Sequence, residues 1–166
     1  MARGAAPGLR PFLPADAPAL AALFRASIEE LAADDYDDDQ RAAWASTADD
    51  IAVFTAKLEQ GLTLVAMLDG ALAGFAALKE NRLFDMLYVD PAFTGRGAGA
   101  ALADAIEKLA GARGAQALDV EASDTARDFF AARGYVASSR NMKMIAGEWL
   151  GNTTMTKTLR PQDAKR

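Results

Sequence analysis

The stretch of residues 83–109 constrains the fold of this 166-residue chain more than any other. It begins with an apolar run, Leu83–Val89, that is typical of a buried strand and stops at Asp90-Pro91. A loop over residues 94–99 follows, with glycine at every second position, and apolar residues then recur at helical spacing. Such a loop brings backbone N–H groups together at the positive end of a helix dipole. The stretch therefore predicts an anion cradle, for a phosphate or pyrophosphate.

The rest of the chain predicts a mixed α/β domain. Asp69-Gly70 between two apolar runs is a hairpin signal, and a helix between the strands over 83–89 and 117–121 predicts that these two strands are parallel. Further strands are predicted over 9–13, 62–68, 71–78, 135–145 and 152–159, with a turn over 147–151, and helices over 18–31, 40–45, 51–58 and from Ser123 or Asp124 to Gly134. We expect one domain over 1–160 and a frayed tail over 161–166.

Composition excludes several kinds of chemistry. The chain has no His and no Cys, which argues against Ser-His-Asp triads, Cys nucleophiles, disulfides and the usual zinc sites, and we expect no metal. A net charge of −5 argues against nucleic-acid binding, because phosphate backbones attract clustered Lys and Arg. No run has the pattern of a signal peptide or of a membrane span, so the expected location is the cytoplasm, away from membranes.

Residues 34–39 contain five Asp around Tyr36, and Trp44 follows in a short helical pattern. One interpretation is a solvated helix start, in which Asp37 caps the helix and Gln40 completes a capping box. The other places Tyr36 and Trp44 in an acceptor pocket whose acidic rim attracts a cation. The two interpretations are compatible.

Two groups of motifs resemble the GNAT superfamily of acyl-CoA-dependent N-acetyltransferases. The loop over 94–99 is similar to the family's signature loop except at Thr94, where the family has Gln or Arg. A second signature is mirrored by Ser123, Ala126, Phe129, Phe130, Gly134 and Tyr135. The Asp85-Met86-Leu87 strand, the Val89-Asp90-Pro91 turn, the segment from Tyr36 to Trp44 and the closing Gly147, Trp149 and Asn152 resemble the bacterial YafP-like branch in particular.

The resemblance implies a three-layer fold, with flanking helices and a mixed, mostly antiparallel sheet whose two parallel strands splay apart around acetyl-CoA. It implies transfer of the acetyl group to a primary amine by direct attack in a ternary complex. The acceptor would be a small-molecule or peptide amine. The implied cofactor-binding residues are Leu87, Tyr88, Val89, Thr94, Gly95, Arg96, Gly97, Ala98, Gly99, Ala100, Ser123, Ala126, Phe129, Phe130 and Arg133.

The resemblance also implies candidates for catalysis. Asp85 is the expected general base, with a structural pairing to Arg82 as its alternative, and Glu80 is the reserve base and a substrate-binding candidate beside Tyr36 and Trp44. The family often uses a Tyr as general acid, but the matching residue is Phe130, which has no hydroxyl. Either the coenzyme A thiolate leaves unassisted, or Tyr36, Tyr88 or Tyr135 is the acid.

Other functions stay open at this stage. Gly95, Gly97 and Gly99, followed by Asp119 and Glu121, also fit a dinucleotide-binding fingerprint, although the loop starts too far from its strand. The missing Tyr at position 130 is compatible with a non-catalytic acyl-CoA sensor or interaction domain. An exposed final strand could pair two subunits, so a homodimer is possible.

Overall fold

The computed structural model describes residues 5–159, which form a sheet of seven strands with helices on both faces. The strands are β1 (Gly8–Pro11), β2 (Leu62–Leu68), β3 (Ala71–Lys79), β4 (Leu83–Val89), β5 (Ala117–Ser123), β6 (Val136–Ile145) and β7 (Glu148–Thr158). The helices are α1 (Ala17–Leu31), α2 (Asp38–Ala45), α3 (Ile51–Glu59), α4 (Ala98–Ala112) and α5 (Arg127–Ala132), with short 3-10 turns at Pro14–Asp16, Ser46–Ala48 and Pro91–Phe93. The strand order is β1-β2-β3-β4-β5-β7-β6, and β4 and β5 are the parallel pair. The expected mixed, mostly antiparallel sheet is confirmed.

Each face of the sheet is covered by a separate set of helices. Leu102 and Ile106 of α4 pack against Ala76 and Leu118 on one face. On the other face, the apolar stripe of α1, which includes Leu20 and Phe24, packs with α3 against the β2–β4 strands. Burial of these apolar stripes holds the three layers together.

The two parallel strands separate soon after they meet. Leu83 pairs with Asp119 and Phe84 pairs with Val120, and no further pair joins β4 to β5 within the described residues. On its other side β4 keeps its antiparallel pairing with β3 as far as Val89. The edge of β4 that faces β5 is therefore open from Asp85 onward.

A β-bulge lies where the two strands begin to separate. Ala77 of β3 pairs with Met86 and Leu78 pairs with Phe84, so Asp85 is an extra residue in β4. Because of this residue, Phe84 packs into the same core cluster as Leu87, whereas Met86 packs on the opposite face. Bulges of this kind re-aim side chains next to binding sites.

The last hairpin turns earlier than the sequence pattern predicts. The predicted turn over 147–151 is wrong, because β7 begins at Glu148 and the turn consists of Ala146 and Gly147. Both turn residues have positive φ, 45° and 88°, which matches the tight turns that join antiparallel strands.

The start of the last helix also differs from the prediction. Ser123 ends β5 instead of beginning a helix, because its backbone pairs with Asn152 of β7. Its hydroxyl accepts a hydrogen bond from the N–H of Ala126, which closes the turn before α5 begins at Arg127.

The final strand was predicted to be exposed, which is wrong, because β7 lies between β5 and β6. The edge strand is β6, which leaves large apolar side chains exposed, among them Val136, Met142 and Met144. The homodimer and the single domain over 1–160 stay predictions. The predicted tail over 161–166 lies outside the described residues. None of the helices in the described range has the length and apolar content needed to cross a lipid bilayer.

Candidate active site

A cavity of about 420 Å³ opens where β4 and β5 separate. A smaller cavity of about 70 Å³ extends between the two strands, and Trp44, Asp85 and Tyr88 line both spaces. The smaller cavity is also lined by Leu87, Ser123, Ala126 and Phe130, four of the residues expected to bind a cofactor. The splay of the sheet therefore produces one continuous cleft with a narrow and a wide part.

Asp85 carries a carboxylate into this cleft from the bulge in β4. The residue is half-buried, and its side chain takes part in none of the hydrogen bonds or ion pairs between described residues. The alternative pairing with Arg82 is not found, because the Nε of Arg82 donates to Oδ2 of Asp119 at 2.9 Å. That bond, together with one from Thr156, lowers the pKa of Asp119. The carboxylate of Asp85 is left available to a ligand.

Tyr88 lies three residues after Asp85 and lines the same cleft. Its hydroxyl accepts a hydrogen bond from Nε1 of Trp44 at 3.3 Å, and no acceptor for its own proton is found among residues 5–159. Burial raises the pKa of Tyr88, so the hydroxyl keeps its proton at neutral pH. The ring is held by Phe75, on which it stacks at 5.5 Å, and by the edge contact with Phe24.

Tyr36 also lines the wide cavity, but its hydroxyl already makes two hydrogen bonds within the protein. It donates to the carbonyl oxygen of Gly151 at 2.6 Å and accepts from the N–H of Asp124 at 2.9 Å. Burial is the main cause of the raised pKa of Tyr36. The geometry favours a role in holding the segment before α2 against β7, because proton donation to a substrate would break the bond to Gly151.

The acidic segment before α2 does not form the rim of the cavity. Asp37 accepts the N–H of Gln40 at 2.8 Å and so caps α2, which confirms the predicted capping box. Asp35 accepts from the hydroxyl of Thr125, and Asp38 pairs with Arg41. The expected acidic rim is therefore wrong, because none of the five carboxylates lines the cavity, and Asp35, Asp37 and Asp38 serve the fold instead. Tyr36 and Trp44 do line the cavity, and their role in binding an acceptor stays a prediction.

The glycine-rich loop between β4 and α4 presents unpaired backbone N–H groups. Gly95 and Gly97 have φ of 77° and 88°, a left-handed conformation that glycine adopts without strain. No backbone acceptor within the described residues takes the amides of 95–100, and Ala101 is the first to donate, to the carbonyl of Gly97. Arg96 pairs with Asp69 at 2.7 Å at the surface of the loop. The loop has the properties of an anion site at a helix N-terminus.

Several predicted site residues line neither cavity, namely residues 94–100 of the loop, Val89, Phe129, Arg133 and Glu80. Arg133 pairs with Asp104 and Glu107 of α4. Glu80 lies in the turn between β3 and β4 and lines a separate surface pocket with Asn81 and Arg113. The structure brings neither of them to Asp85. Phe130 is almost fully buried and packs edge-on against Phe84, Phe129 and Tyr135, so only part of its ring meets the narrow cavity.

Sequence reasoning did not find several residues that line the wide cavity. Phe24 and Phe54 lie in predicted helices and Met86 in a predicted strand, but none of the three was a site candidate, and Lys57 and Lys143 had no local motif. They come from α1, α3, β4 and β6, elements that are far apart in the chain. Only the tertiary fold brings them together.

The family model for the acetyltransferase (GNAT) domain matches residues 32–159, which include the loop, the bulge and all residues lining the cleft except Phe24. The chain belongs to the GNAT family of acetyltransferases. This membership leaves the dinucleotide-binding alternative without support. The chain is 31% identical over 147 residues to the uncharacterized N-acetyltransferase YafP of Escherichia coli strain K12, covering 89% of this chain and 93% of the relative.

Solved structures of GNAT proteins have the same fold as this GNAT acetyltransferase. A GCN5-related N-acetyltransferase from Rhodopseudomonas palustris superposes with a TM-score of 0.92 at 58% identity, covering 96% of this chain and 99% of that one. The PaiA N-acetyltransferase from Thermoplasma acidophilum, solved in complex with coenzyme A, superposes with a TM-score of 0.75 at 17% identity, over 93% and 100% of the two chains. The yncA protein of Salmonella typhimurium, solved with acetyl-CoA, gives 0.63 at 18%, over 94% and 95%.

Proposed function

We propose that this GNAT acetyltransferase transfers the acetyl group of acetyl-CoA to a primary amine by direct attack in a ternary complex. The observation that carries the proposal is the carboxylate of Asp85, which lies in the cleft between β4 and β5 without a partner among the described residues. The unpaired amides of the loop between β4 and α4 support it. The coenzyme A and acetyl-CoA complexes of the Thermoplasma and Salmonella proteins support the same cosubstrate here.

The residues of the cleft fit acetyl-CoA. The amides of residues 95–100 suit a diphosphate, because none of these N–H groups has an acceptor among residues 5–159 and the positive end of the α4 dipole lies behind them. The open edge of β4 at Leu87–Val89 can pair with an extended amide chain as a further strand would. Leu87, Ser123 and Ala126 line the narrow part of the cleft beside this edge.

Asp85 is the proposed general base. An alkylamine with a pKa of ~10.4 is almost entirely protonated at pH 7, so forming the neutral nucleophile costs roughly 4–5 kcal/mol. The carboxylate can accept that proton directly or through a water molecule. The bound cosubstrate supplies a thioester, whose acyl carbon is already activated toward attack.

Tyr88 is the proposed general acid. The family often has a Tyr with this role at the position that Phe130 occupies in this chain. The hydroxyl proton of Tyr88 has no acceptor among the described residues, and burial, which raises the pKa of Tyr88, keeps the hydroxyl protonated. Burial also makes the hydroxyl a weaker acid, so the proton moves to the sulfur as negative charge develops there when the C–S bond breaks. The sensor alternative was motivated by the absence of a hydroxyl at Phe130, and Tyr88 offers one within the same cleft.

Two measurements on the purified protein test this proposal. Titration calorimetry with acetyl-CoA should give saturable binding, and a thiol-release assay over a panel of amines should show coenzyme A formed in proportion to acetylated product. Binding without thiol release on any amine or peptide would favour the sensor. Absence of binding would overturn both functions.

A further inference from the structure

The walls of the wide cavity are aromatic. Phe24, Tyr36, Trp44, Phe54 and Tyr88 all line it, and they form a chain of contacts in which the Trp44 ring lies 5.5 Å from Tyr36 and 6.2 Å from Tyr88. Rings arranged in this way bury the apolar body of a ligand and attract an ammonium group to their faces.

The charged residues that line the cavity differ in their burial and in their ion pairing. Glu121 and Lys143 are both exposed and lie 3.8 Å apart, so they largely neutralise one another. Asp85 and Lys57 are left, and the described residues offer neither of them an ion-pair partner. Asp85 is half-buried, whereas Lys57 is exposed on the last turn of α3. The cavity therefore presents one negative charge inside and one positive charge at its mouth.

We infer that the acceptor is a primary amine with an aromatic or large apolar body and a single anionic group at its other end. This inference rests on the proposed function, because the amine must reach Asp85. The anionic group then meets Lys57, and the body lies against the aromatic walls. A polyamine or another polycation would place its second positive charge beside Lys57.

The size of the cavity agrees with a small acceptor. A volume of about 420 Å³ lies near the lower end of the range of about 300–1,000 Å³ that is usual for small-molecule sites. Such a space accommodates a single aromatic ring with short substituents at both ends.

Three amines on one skeleton test the inference. The compounds para-(aminomethyl)benzoate, para-methylbenzylamine and para-xylylenediamine share the ring and the reactive amine, and they differ in an anionic, neutral or cationic far end. We expect kcat/KM in the thiol-release assay to fall in that order, by about threefold or more per step, which corresponds to the strength of an exposed ion pair. The differences should shrink in high salt, because salt screens exposed charges.

Charge reversal at Lys57 gives the matched control. Lys57→Glu should reverse the order of the three amines, whereas Lys108→Glu, on the exposed side of α4 away from the cavity, should leave it unchanged. A wild-type preference for the diamine, or an unchanged order in Lys57→Glu, would overturn the inference and leave the acetyltransferase proposal standing.

A binding measurement separates the two proposals if none of the three amines is acetylated. In a Trp149→Phe variant the remaining tryptophan, Trp44, lies in the cavity wall and reports binding by fluorescence. The carboxylate should bind most tightly and the diamine most weakly. This result would support the charge inference even if thiol release over a broad amine panel showed that the proposed function is wrong. The opposite order, or no fluorescence change with any of the three, would overturn it.

Discussion

Asp85 occupies a β-bulge, and at the scale of single residues this placement gives the sharpest test of the mechanism. Asp85→Asn keeps the shape of the side chain but removes the base, so we expect kcat to fall by about 10²–10⁴-fold. Steady-state kinetics with an accepted amine would measure this, and Asp34→Asn, an exposed carboxylate away from the cavity, serves as the control. A change confined to KM would show that Asp85 binds the amine without accepting its proton.

Tyr36 and Tyr88 have hydroxyls in different situations, and the same substitution should therefore have different effects. Tyr36→Phe leaves the carbonyl of Gly151 and the N–H of Asp124 without their partner, so the free energy of unfolding should fall by about 1–3 kcal/mol in urea denaturation. The kcat of the folded enzyme should change little.

Tyr88→Phe should lower kcat by about tenfold or more, because it removes the proposed acid. The free energy of unfolding should change by less than about 1 kcal/mol, because only the long hydrogen bond from Trp44 is lost. Since burial raises the pKa of Tyr88, its deprotonation should cause no loss of wild-type activity below about pH 10. Equal effects of the two variants on kcat would contradict the assignment of roles.

At the scale of structural elements, a glycine of the glycine-rich loop can be compared with a glycine elsewhere that has the same backbone conformation. Gly97 before α4 has φ of 88° and Gly114 after α4 has φ of 91°, and an added Cβ would meet no atom at either position. Alanine at each should cost a similar ~1–2 kcal/mol of stability through left-handed strain. Only Gly97→Ala should also weaken acetyl-CoA binding, by about tenfold in calorimetry, because it displaces the amides. Equal affinities of the two variants for acetyl-CoA would contradict an anion site in this loop.

The turns show why sequence predicted some elements better than others. Asp69 and Gly70 adopt φ of 52° and 78°, and both residue types favour that conformation, so the hairpin was predicted correctly. Ala146 and Gly147 adopt nearly the same conformation, but Ala gives no signal for positive φ, and the turn was placed too late. The bulge at Asp85 was not predicted for a related reason, because a single Asp within the otherwise apolar run Leu83–Val89 gives no signal for an extra residue in the strand.

At the scale of the whole molecule, the predictability of the site depends on how local it is in the chain. The loop over 94–99 is contiguous, so its glycines alone predicted an anion cradle. The wide cavity is built from residues as far apart as Phe24 and Asn152, and no periodicity connects them. The resemblance to the family supplied the splayed sheet, but the charges at the mouth, Lys57 and Lys143, follow from this chain's own tertiary packing.

A cluster centred on Glu107 joins α4, α5 and β7 on the side of the sheet covered by α4. The carboxylate has an exposed fraction of 11% and accepts from Arg133 at 3.2 Å, Tyr135 at 3.1 Å and Lys157 at 2.6 Å. Glu107→Gln keeps the volume but leaves Lys157 without its counter-charge and Arg133 with only the exposed Asp104, so the free energy of unfolding should fall by about 3 kcal/mol.

Urea denaturation measures this loss, and Asp104→Asn is the matched control, since Asp104 pairs with the same Arg133 but is 58% exposed and should cost less than about 1 kcal/mol. Acetyl-CoA affinity should be unchanged in Glu107→Gln, because the cluster does not line the cleft. A change in affinity would instead support the predicted contact of Arg133 with the cosubstrate, because this substitution weakens the hold of α4 on that guanidinium.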